Sequence, residues 1–382
     1  MISHRVHSRV TKPKRGNKMT DRYKVYTKVL KTLKQMVKLH HPGHVVTLGM
    51  MIAGIVMSKK AQLSEMSNEV PSRAKDKSIE MRMRRWVKHE DLDEELIYLP
   101  FAQQILRALA HLPLVVVMDA SQVGRNCMVL MVGVVYKKRA LPLVWLVYPG
   151  KKGHTSAERH IQVLEKLRAL LAEGAEVILM GDAEYDTTEM LLWIHKNTSW
   201  NYVLRTSPQI YVHSPQGEHP IADMPLQKKS VLQYRQVGFT QAASLQVNLV
   251  GWWGSAYENP IYLLSNLEDK YQTCRYYRRR YRIETFFSDQ KSRGFHIHKS
   301  HLSDPARVSR LLLAACLAYI WMILQGLQVI AQNQIGWIDR TDRRDKSLFR
   351  LGLDWIRHCL KRDWDFEPLF WFQPEPEFVN VR

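Results

Sequence analysis

Hydrophobic residues in the first third of the chain recur at helical spacing. Val25, Val29, Leu33 and Val37 fall four apart and the stretch from Phe101 to Leu112 repeats the theme, so residues 21 to 110 are expected to form a helical bundle. Beyond Leu112 the period changes. Leu114-Val-Val-Val-Met118 is an unbroken apolar run ending in Asp119, and Met128 to Tyr136 and Leu141 to Tyr148 follow after polar breaks. This predicts an antiparallel meander of three strands. Ser156 to Glu173 reads as an amphipathic helix stopped by Gly174, and Val177-Ile-Leu-Met180 as a second buried strand leading into Gly181-Asp182. A parallel crossover from the first strand is the natural pairing. Thr187 to Lys196 then reads as a helix and Tyr202 to Arg205 as a short strand.

Residues 207 to 268 are rich in proline and turns and contain the strand patterns Gln246 to Trp253 and Ile261 to Leu264, the signature of a β-rich insertion. Residues 269 to 331 return to helix, and residues 332 to 382 form a polar and aromatic C-terminal region without an evident role. The expected fold class is therefore α/β: helices over 1–110, a core over 111–206, the insertion over 207–268, the rest of the core over 269–331, and the C-terminal region. The run Leu311 to Leu324 is wholly apolar but only 14 residues long. About 20 residues are needed to span hydrocarbon, so it reads as a buried helix.

Charge sharpens the picture. Lys and Arg total 56 against 36 Asp and Glu, a formal net charge of +20, which favours a polyanionic partner and puts nucleic acid ahead of a membrane surface. Residues 1–40 carry twelve Lys/Arg and one acid, and residues 270–310 carry eleven and three, so nearly all of the excess lies in these two windows. Two separate phosphate contacts are implied. Leu63 to Val70, a break at Pro71 and the basic stretch Met81 to Lys88 have the layout of a helix-turn-helix reader of DNA. The basic, polar start has no secretory pattern, and the cysteines Cys127, Cys274, Cys316 and Cys359 are too scattered for a disulfide scaffold or a metal knuckle. A cytoplasmic, nucleoid-associated protein without membrane attachment is the expectation.

Asp119 and Asp182 each end an apolar strand, and if those strands are neighbours both carboxylates emerge at one sheet edge. Two ionised groups there are costly unless a cation or hydrogen bonds offset them, and hard divalent ions with oxygen ligands are the usual answer. A single such Asp more often caps a turn. Glu284 tips the balance. In Tyr276-Tyr-Arg-Arg-Arg-Tyr-Arg-Ile-Glu284-Thr-Phe-Phe-Ser-Asp-Gln-Lys291, a regular helix would put Tyr277, Arg280, Glu284 and Lys291 within an arc of about 60°, a charged line roughly 21 Å long. Tyr276, Ile283 and Phe287 would seat the helix on the sheet. Asp289 projects well off that line and is excluded from the site. Glu184 and Asp186 are expected to cap the helix that begins near Thr187. His296, His298 and His301 lack a fourth ligand at fitting spacing, so no zinc set is expected.

Tyr277, Arg280, Glu284 and Lys291, at spacings of three, four and seven, match the signature of a branch of the DDE transposases of bacterial insertion sequences, family four. Leu114 to Ser121 and Val177 to Asp182 resemble that family's two aspartate blocks, and the likeness runs over roughly residues 60 to 356. The resemblance implies a ribonuclease-H-like catalytic core interrupted by the β-rich insertion, with an N-terminal helical DNA-binding domain. It implies that Asp119, Asp182 and Glu284 are the catalytic residues and hold two Mg2+ ions, with Mn2+ as a substitute. Tyr277, Arg280 and Lys291 would grip DNA phosphates. An aromatic of the insertion would stack on a flipped base, with Trp252, Trp253 and Tyr262 the candidates and a core role as ready an explanation for each. The implied activity is cut-and-paste transposition: binding of inverted-repeat ends, cleavage through hairpin ends, and joining to target DNA, by a homodimer on the DNA. A catalytically inactive DNA-binding regulator and a ribonuclease-H-fold nuclease without strand transfer are the competing readings.

Overall fold

The computed structural model describes residues 20 to 370 apart from Lys38, His40, Lys152, His154, Pro215, Gln216, Ala243 and Ser244. Residues 1–19, with six of the twelve Lys/Arg of the first basic window, therefore lie outside the described residues. The chain forms two compact units. One comprises residues 20–97, 292–300 and 310–370, and the other residues 98–291 and 301–309.

The first unit is helical. It begins with α1 (Asp21–Met36), α2 (Pro42–Ser58), α3 (Leu63–Ser67) and α4 (Asp76–Lys88). Val25, Val29 and Leu33 are fully buried on one face of α1, as their spacing predicts. α10 (Pro305–Ala331), which belongs to this unit from Arg310 on, follows later in the chain, and α11 (Leu348–Arg362) closes it; α5 (Glu94–Leu109) belongs mainly to the second unit, from Tyr98 on. The run Leu311 to Leu324 lies within α10, and every one of its residues is 5% exposed or less. α10 is the one described helix long and apolar enough to cross a membrane, and most of its apolar stretch is buried inside the protein. Two glycines let α10 and α11 touch backbone to backbone. A Cβ on Gly326 would lie 2.1 Å from the Leu348 carbonyl oxygen, and one on Gly352 would lie 2.0 Å from that of Met322.

The second unit is built on one ten-stranded mixed sheet among the described residues. In chain order its strands are β1 (Leu114–Gly124), β2 (Cys127–Tyr136), β3 (Arg139–Pro149), β4 (Val177–Gly181), β5 (Asn201–Thr206), β6 (Tyr211–Ser214), β7 (Gly217–Pro220), β8 (Ser230–Phe239), β9 (Leu245–Trp253) and β10 (Ile261–Ser265). Across the sheet the order is β3-β2-β1-β4-β5-β10-β9-β8-β6-β7. β1 to β3 are the expected meander, and β1 pairs in parallel with β4, which pairs in parallel with β5. The connections carry α6 (Ala157–Leu170) and α7 (Thr188–Asn197). Burial of β1 from Leu114 to Met118 and of all of β4 explains their unbroken apolar runs.

The proline-rich stretch 207–268 does not build a sheet of its own. Its last strand, β10, pairs antiparallel with β5, and β9, β8, β6 and β7 extend the sheet outward from there.

The regular helix expected through Tyr276 to Lys291 is broken. α8 (Lys270–Tyr277) and α9 (Arg282–Gln290) are separated by a turn at residues 278–281. There the amides of Arg279, Arg280, Arg282, Ile283 and Glu284 each bond the carbonyl three residues back. Such 3-10 bonding tightens the backbone to about three residues per turn, so the straight charged line drawn with α-helical spacing does not form.

Candidate active site

The register of β1 with β4 brings Asp119 and Asp182 together, although Asp119 does not end its strand as the apolar run predicts: β1 continues to Gly124, held by its pairing with β2. The last pair is Val117 with Met180, and two residues further on each strand come Asp119 and Asp182. The neighbouring register of β4 with β5 ends at Gly181 with Leu204, so Arg205 follows beside Asp182. Two carboxylates and a guanidinium thus stand side by side on three neighbouring strands: Asp119 midway along β1, Asp182 just past β4, and Arg205 near the end of β5. Arg205 Nη1 lies 3.7 Å from Asp182 Oδ1.

Asp182 heads a single 3-10 turn, Ala183–Tyr185, and its Oδ1 accepts from the Ala183 amide at 3.0 Å. The capping role open to any strand-end Asp is therefore filled, and the carboxylate is engaged elsewhere as well. The Tyr277 hydroxyl, at the end of α8, reaches within 3.5 Å of Oδ1, and Arg280 Nη1 lies 3.7 Å from Oδ2. Arg280 also donates from Nη2 to Glu284 Oε1 at 2.6 Å. The broken helix still delivers Tyr277, Arg280 and Glu284 to Asp182, because the turn folds the arginine between the two acids. Lys291, just past α9, goes elsewhere and donates to the Ser121 hydroxyl on β1.

Asp119 lies deepest. Its Oδ1 accepts from the Ala120 amide at 2.9 Å, and burial pushes its carboxyl up to about 6. Arg280 and the Ala120 amide pull against that rise, while Asp182 and Glu284 add to it. Burial alone would lower Arg280, yet Asp182, Tyr277, Glu284 and Asp119 hold its charge and raise it. Burial first, and then Asp182, pushes the Tyr277 hydroxyl up to about 12, so it stays a donor.

The donor set is that of a hard divalent cation: three carboxylates act on one another, and burial disfavours the charge on Asp119, which a bound cation would offset. Among the described residues no three His, Cys, Asp or Glu stand close enough to hold an ion as they are. Arg280 occupies the space between Asp182 and Glu284.

Three neighbours were not visible in the sequence. Arg205 is one, and Ser121 under Lys291 is another. The third is Tyr185, fully buried, whose hydroxyl burial and then Asp119 hold far above the ordinary range. Its ring lies against the last residue of β4: a Cβ on Gly181 would come within 2.9 Å of it. The alternation of β5 past Leu204 is the signal that could have found Arg205.

Other acids are engaged outside the cleft. Asp289 is 4% exposed and pairs with Arg139 at 2.8 Å, in keeping with its exclusion. Glu184 and Asp186 do not cap α7, whose N-cap residue Thr187 makes no side-chain cap bond. Glu184 instead accepts from the Thr155 amide at 2.7 Å, and Asp186 from the Thr206 hydroxyl at 2.6 Å. The 3-10 turn after Asp182 carries these side chains away from the helix start.

The three aromatics of the insertion differ. Trp252 is buried on β9 with the Arg278 guanidinium 4.8 Å from its ring, which ties it to the basic turn. Trp253 is half-buried and donates to the Tyr257 carbonyl at 3.2 Å. Tyr262 is buried on β10 opposite Thr206.

The family model described as "Transposase DDE domain" matches residues 102–321. No curated protein matches the chain. A solved structure, described as the cryo-EM structure of piggyBac transposase synaptic complex with hairpin DNA, aligns with a TM-score of 0.45 and 10% identity. The alignment covers 89% of this chain and 78% of that one.

Proposed function

The chain belongs to the transposase DDE domain family, whose members cut and rejoin DNA, and from that premise we propose that it is a cut-and-paste transposase of the insertion-sequence family-four type. In this reading Asp119, Asp182 and Glu284 are the catalytic acids of a ribonuclease-H-like core. Tyr277, Arg280, Glu284 and Lys291 are its signature. The observation that carries the proposal is the meeting of Tyr277 and Arg280 at Asp182, with Glu284 joined to Asp182 through the same Arg280, just past the strand beside Asp119.

Asp119, Asp182 and Glu284 would hold two Mg2+ ions, or Mn2+ in their stead. When bound, such ions activate an attacking water or 3′-hydroxyl and stabilise the leaving oxygen in displacement at a phosphodiester. The chain's own groups do the rest. Asp119, half-buried and hydrogen-bonded to the Ala120 amide, is fixed in orientation before any ligand arrives. The bidentate fork of Arg280, now shared between Asp182 and Glu284, suits a phosphate in the cleft, and Lys291 offers a point charge. These contacts position a strand without reading its sequence. Inverted-repeat ends and target DNA are the substrates, and a homodimer would present two such sites on paired ends. Hairpin ends would use an aromatic of the insertion. Trp252 is favoured over Trp253 and Tyr262 by its contact with Arg278.

The deciding assay uses labelled inverted-repeat ends with Mg2+. Cutting plus joining supports the transposase; cutting alone points to a nuclease, and binding alone to a regulator. Asp119→Asn, Asp182→Asn and Glu284→Gln are each expected to abolish cleavage while ends remain bound. Wild-type cutting by any one removes that residue from the site.

A further inference from the structure

One guanidinium bridges two of the three acids. Arg280 Nη2 donates to Glu284 Oε1 at 2.6 Å, while Nη1 lies 3.7 Å from Asp182 Oδ2. Its side chain is 15% exposed, with the Tyr277 ring centre 5.9 Å from the guanidinium carbon. The turn at residues 278–281 sets this reach. The Arg280 amide bonds the Tyr277 carbonyl at 2.9 Å, and Glu284 follows four residues on, the spacing at which helical side chains meet. Arg280 is also the cation that acts on Asp119. A single positive charge thus answers to all three carboxylates.

The two ends of the fork are held unequally. The Glu284 contact is a short charge-assisted hydrogen bond, whereas the Asp182 contact is an ion pair beyond hydrogen-bond reach. A planar guanidinium is best matched when two of its N–H groups meet one carboxylate or one phosphate, and here they are divided between two acids. A divalent ion needs the same oxygens. Mg2+ demands near-octahedral geometry, and a guanidinium left among its ligands would repel it at close range. With Arg280 lying between Asp182 and Glu284, no three acids among the described residues are gathered closely enough to hold an ion.

We infer that Arg280 is the site's resident cation: it competes with divalent ions for Asp182 and Glu284 until a DNA phosphate takes its fork, so that strand and metal bind cooperatively. The inference rests on the transposase reading and adds an order of assembly to it. A phosphate in the cleft offers the fork a single bidentate partner, and Arg280 moves from the acids to the strand. Asp182 and Glu284 are then free for the ions. Loading therefore waits for DNA. Arg205 is not equivalent, since it meets Asp182 alone, at 3.7 Å, with its side chain 46% exposed.

The test titrates the full chain with Mn2+ alone and reads the free ion by electron paramagnetic resonance. Arg280→Gln, which removes the charge and keeps a polar side chain, is expected to bind Mn2+ about tenfold tighter or more than wild type without DNA, a gain of about 1.4 kcal/mol. Arg280→Lys, a cation without the fork, is expected to fall between them, and it carries the test should the Gln variant fail to fold. Arg205→Ala takes a charge from the same acid without clearing the space beside Glu284, and is expected to gain about threefold or less. A short duplex, its own Mn2+ binding subtracted, should raise the affinity of wild type more than that of Arg280→Gln, as reciprocal coupling requires. A purely structural ion pair predicts the opposite sign, because its loss would loosen both acids and weaken Mn2+ binding. If neither Arg280 variant binds Mn2+ tighter than wild type and Arg205→Ala, or if the duplex helps wild type and Arg280→Gln equally, the competition is overturned and the transposase reading stands. A wild-type chain that binds no Mn2+ even with the duplex overturns both.

Discussion

His160 gives the second unit a built-in sensitivity to acid. Its imidazole is fully buried in α6, edge-on to the Tyr185 ring at 4.9 Å, and neither ring nitrogen has a hydrogen-bond partner among the described residues. Burial lowers it from 6.5 to about 4. Because the folded value lies below the unfolded one, the unfolded chain binds more protons between them, and stability rises with pH across that window. The contribution is fully present above about 6.5 and falls as pH drops towards about 4. At about 1.4 kcal/mol per pH unit, lowering the pH from about 7 to about 4.5 removes roughly 2 to 3 kcal/mol. The perturbation is His160→Phe, which keeps a ring against Tyr185 and removes the titration. Any repacking cost is the same at both pH values, so the pH difference isolates the imidazole. Urea unfolding of wild type and variant, followed by hydrogen exchange on α6 and β4, measures it. The variant is expected to lose roughly 2 to 3 kcal/mol less than wild type on acidification. An equal acid loss in both proteins refutes the reasoning.

Other consequences are open to measurement. Gly352→Ala puts a methyl 2.0 Å from the Met322 carbonyl oxygen and must part α10 from α11. A loss of about 1–3 kcal/mol or more in denaturant unfolding is expected, and an unchanged midpoint contradicts the close contact. Asp289→Asn leaves the Arg139 guanidinium nearly buried without its counter-charge. It should cost about 3–5 kcal/mol, and replacing both residues by apolar ones should recover most of it. Arg280→Ala and Lys291→Ala should each lower the salt slope of end binding by about one, and no change would remove that side chain from the phosphate contacts. Chelation of divalent ions should stop cleavage while ends stay bound, with Mg2+ or Mn2+ restoring it; cleavage in excess chelator would sink the metal assignment.

Much of the site was legible because it is written in short-range pattern. An apolar run closing on an acid is how Asp119 and Asp182 stand out; at Asp182 it marks the end of β4, whereas at Asp119 it marks where β1 leaves the buried core and runs on, half-buried, beside β2. The fixed spacing of Tyr277, Arg280, Glu284 and Lys291 survives even though the straight helix does not. The break at residues 278–281 carries no glycine or proline to announce it, only three successive arginines whose backbone tightens. Arg205 reaches the site through strand pairing, so no local window holds it; Ser121 lies two residues past Asp119 on β1, and only its partner Lys291 is remote in sequence. Glu184 and Asp186 misled because a carboxylate near a helix start is usually its cap, whereas here the backbone N–H of Thr155 and the hydroxyl of Thr206, both remote in sequence, donate to them. Gly326 and Gly352 are ordinary helix residues until the facing backbone is in view.

The pairing of β10 with β5 limits how this chain can be cut down. Excising residues 207–268 as a removable module would bare the hydrogen-bonding side of β5, one strand from the one that leads to Asp182. A raw edge there invites pairing with another copy, so a minimal catalytic fragment needs at least β9 and β10 retained as a cover.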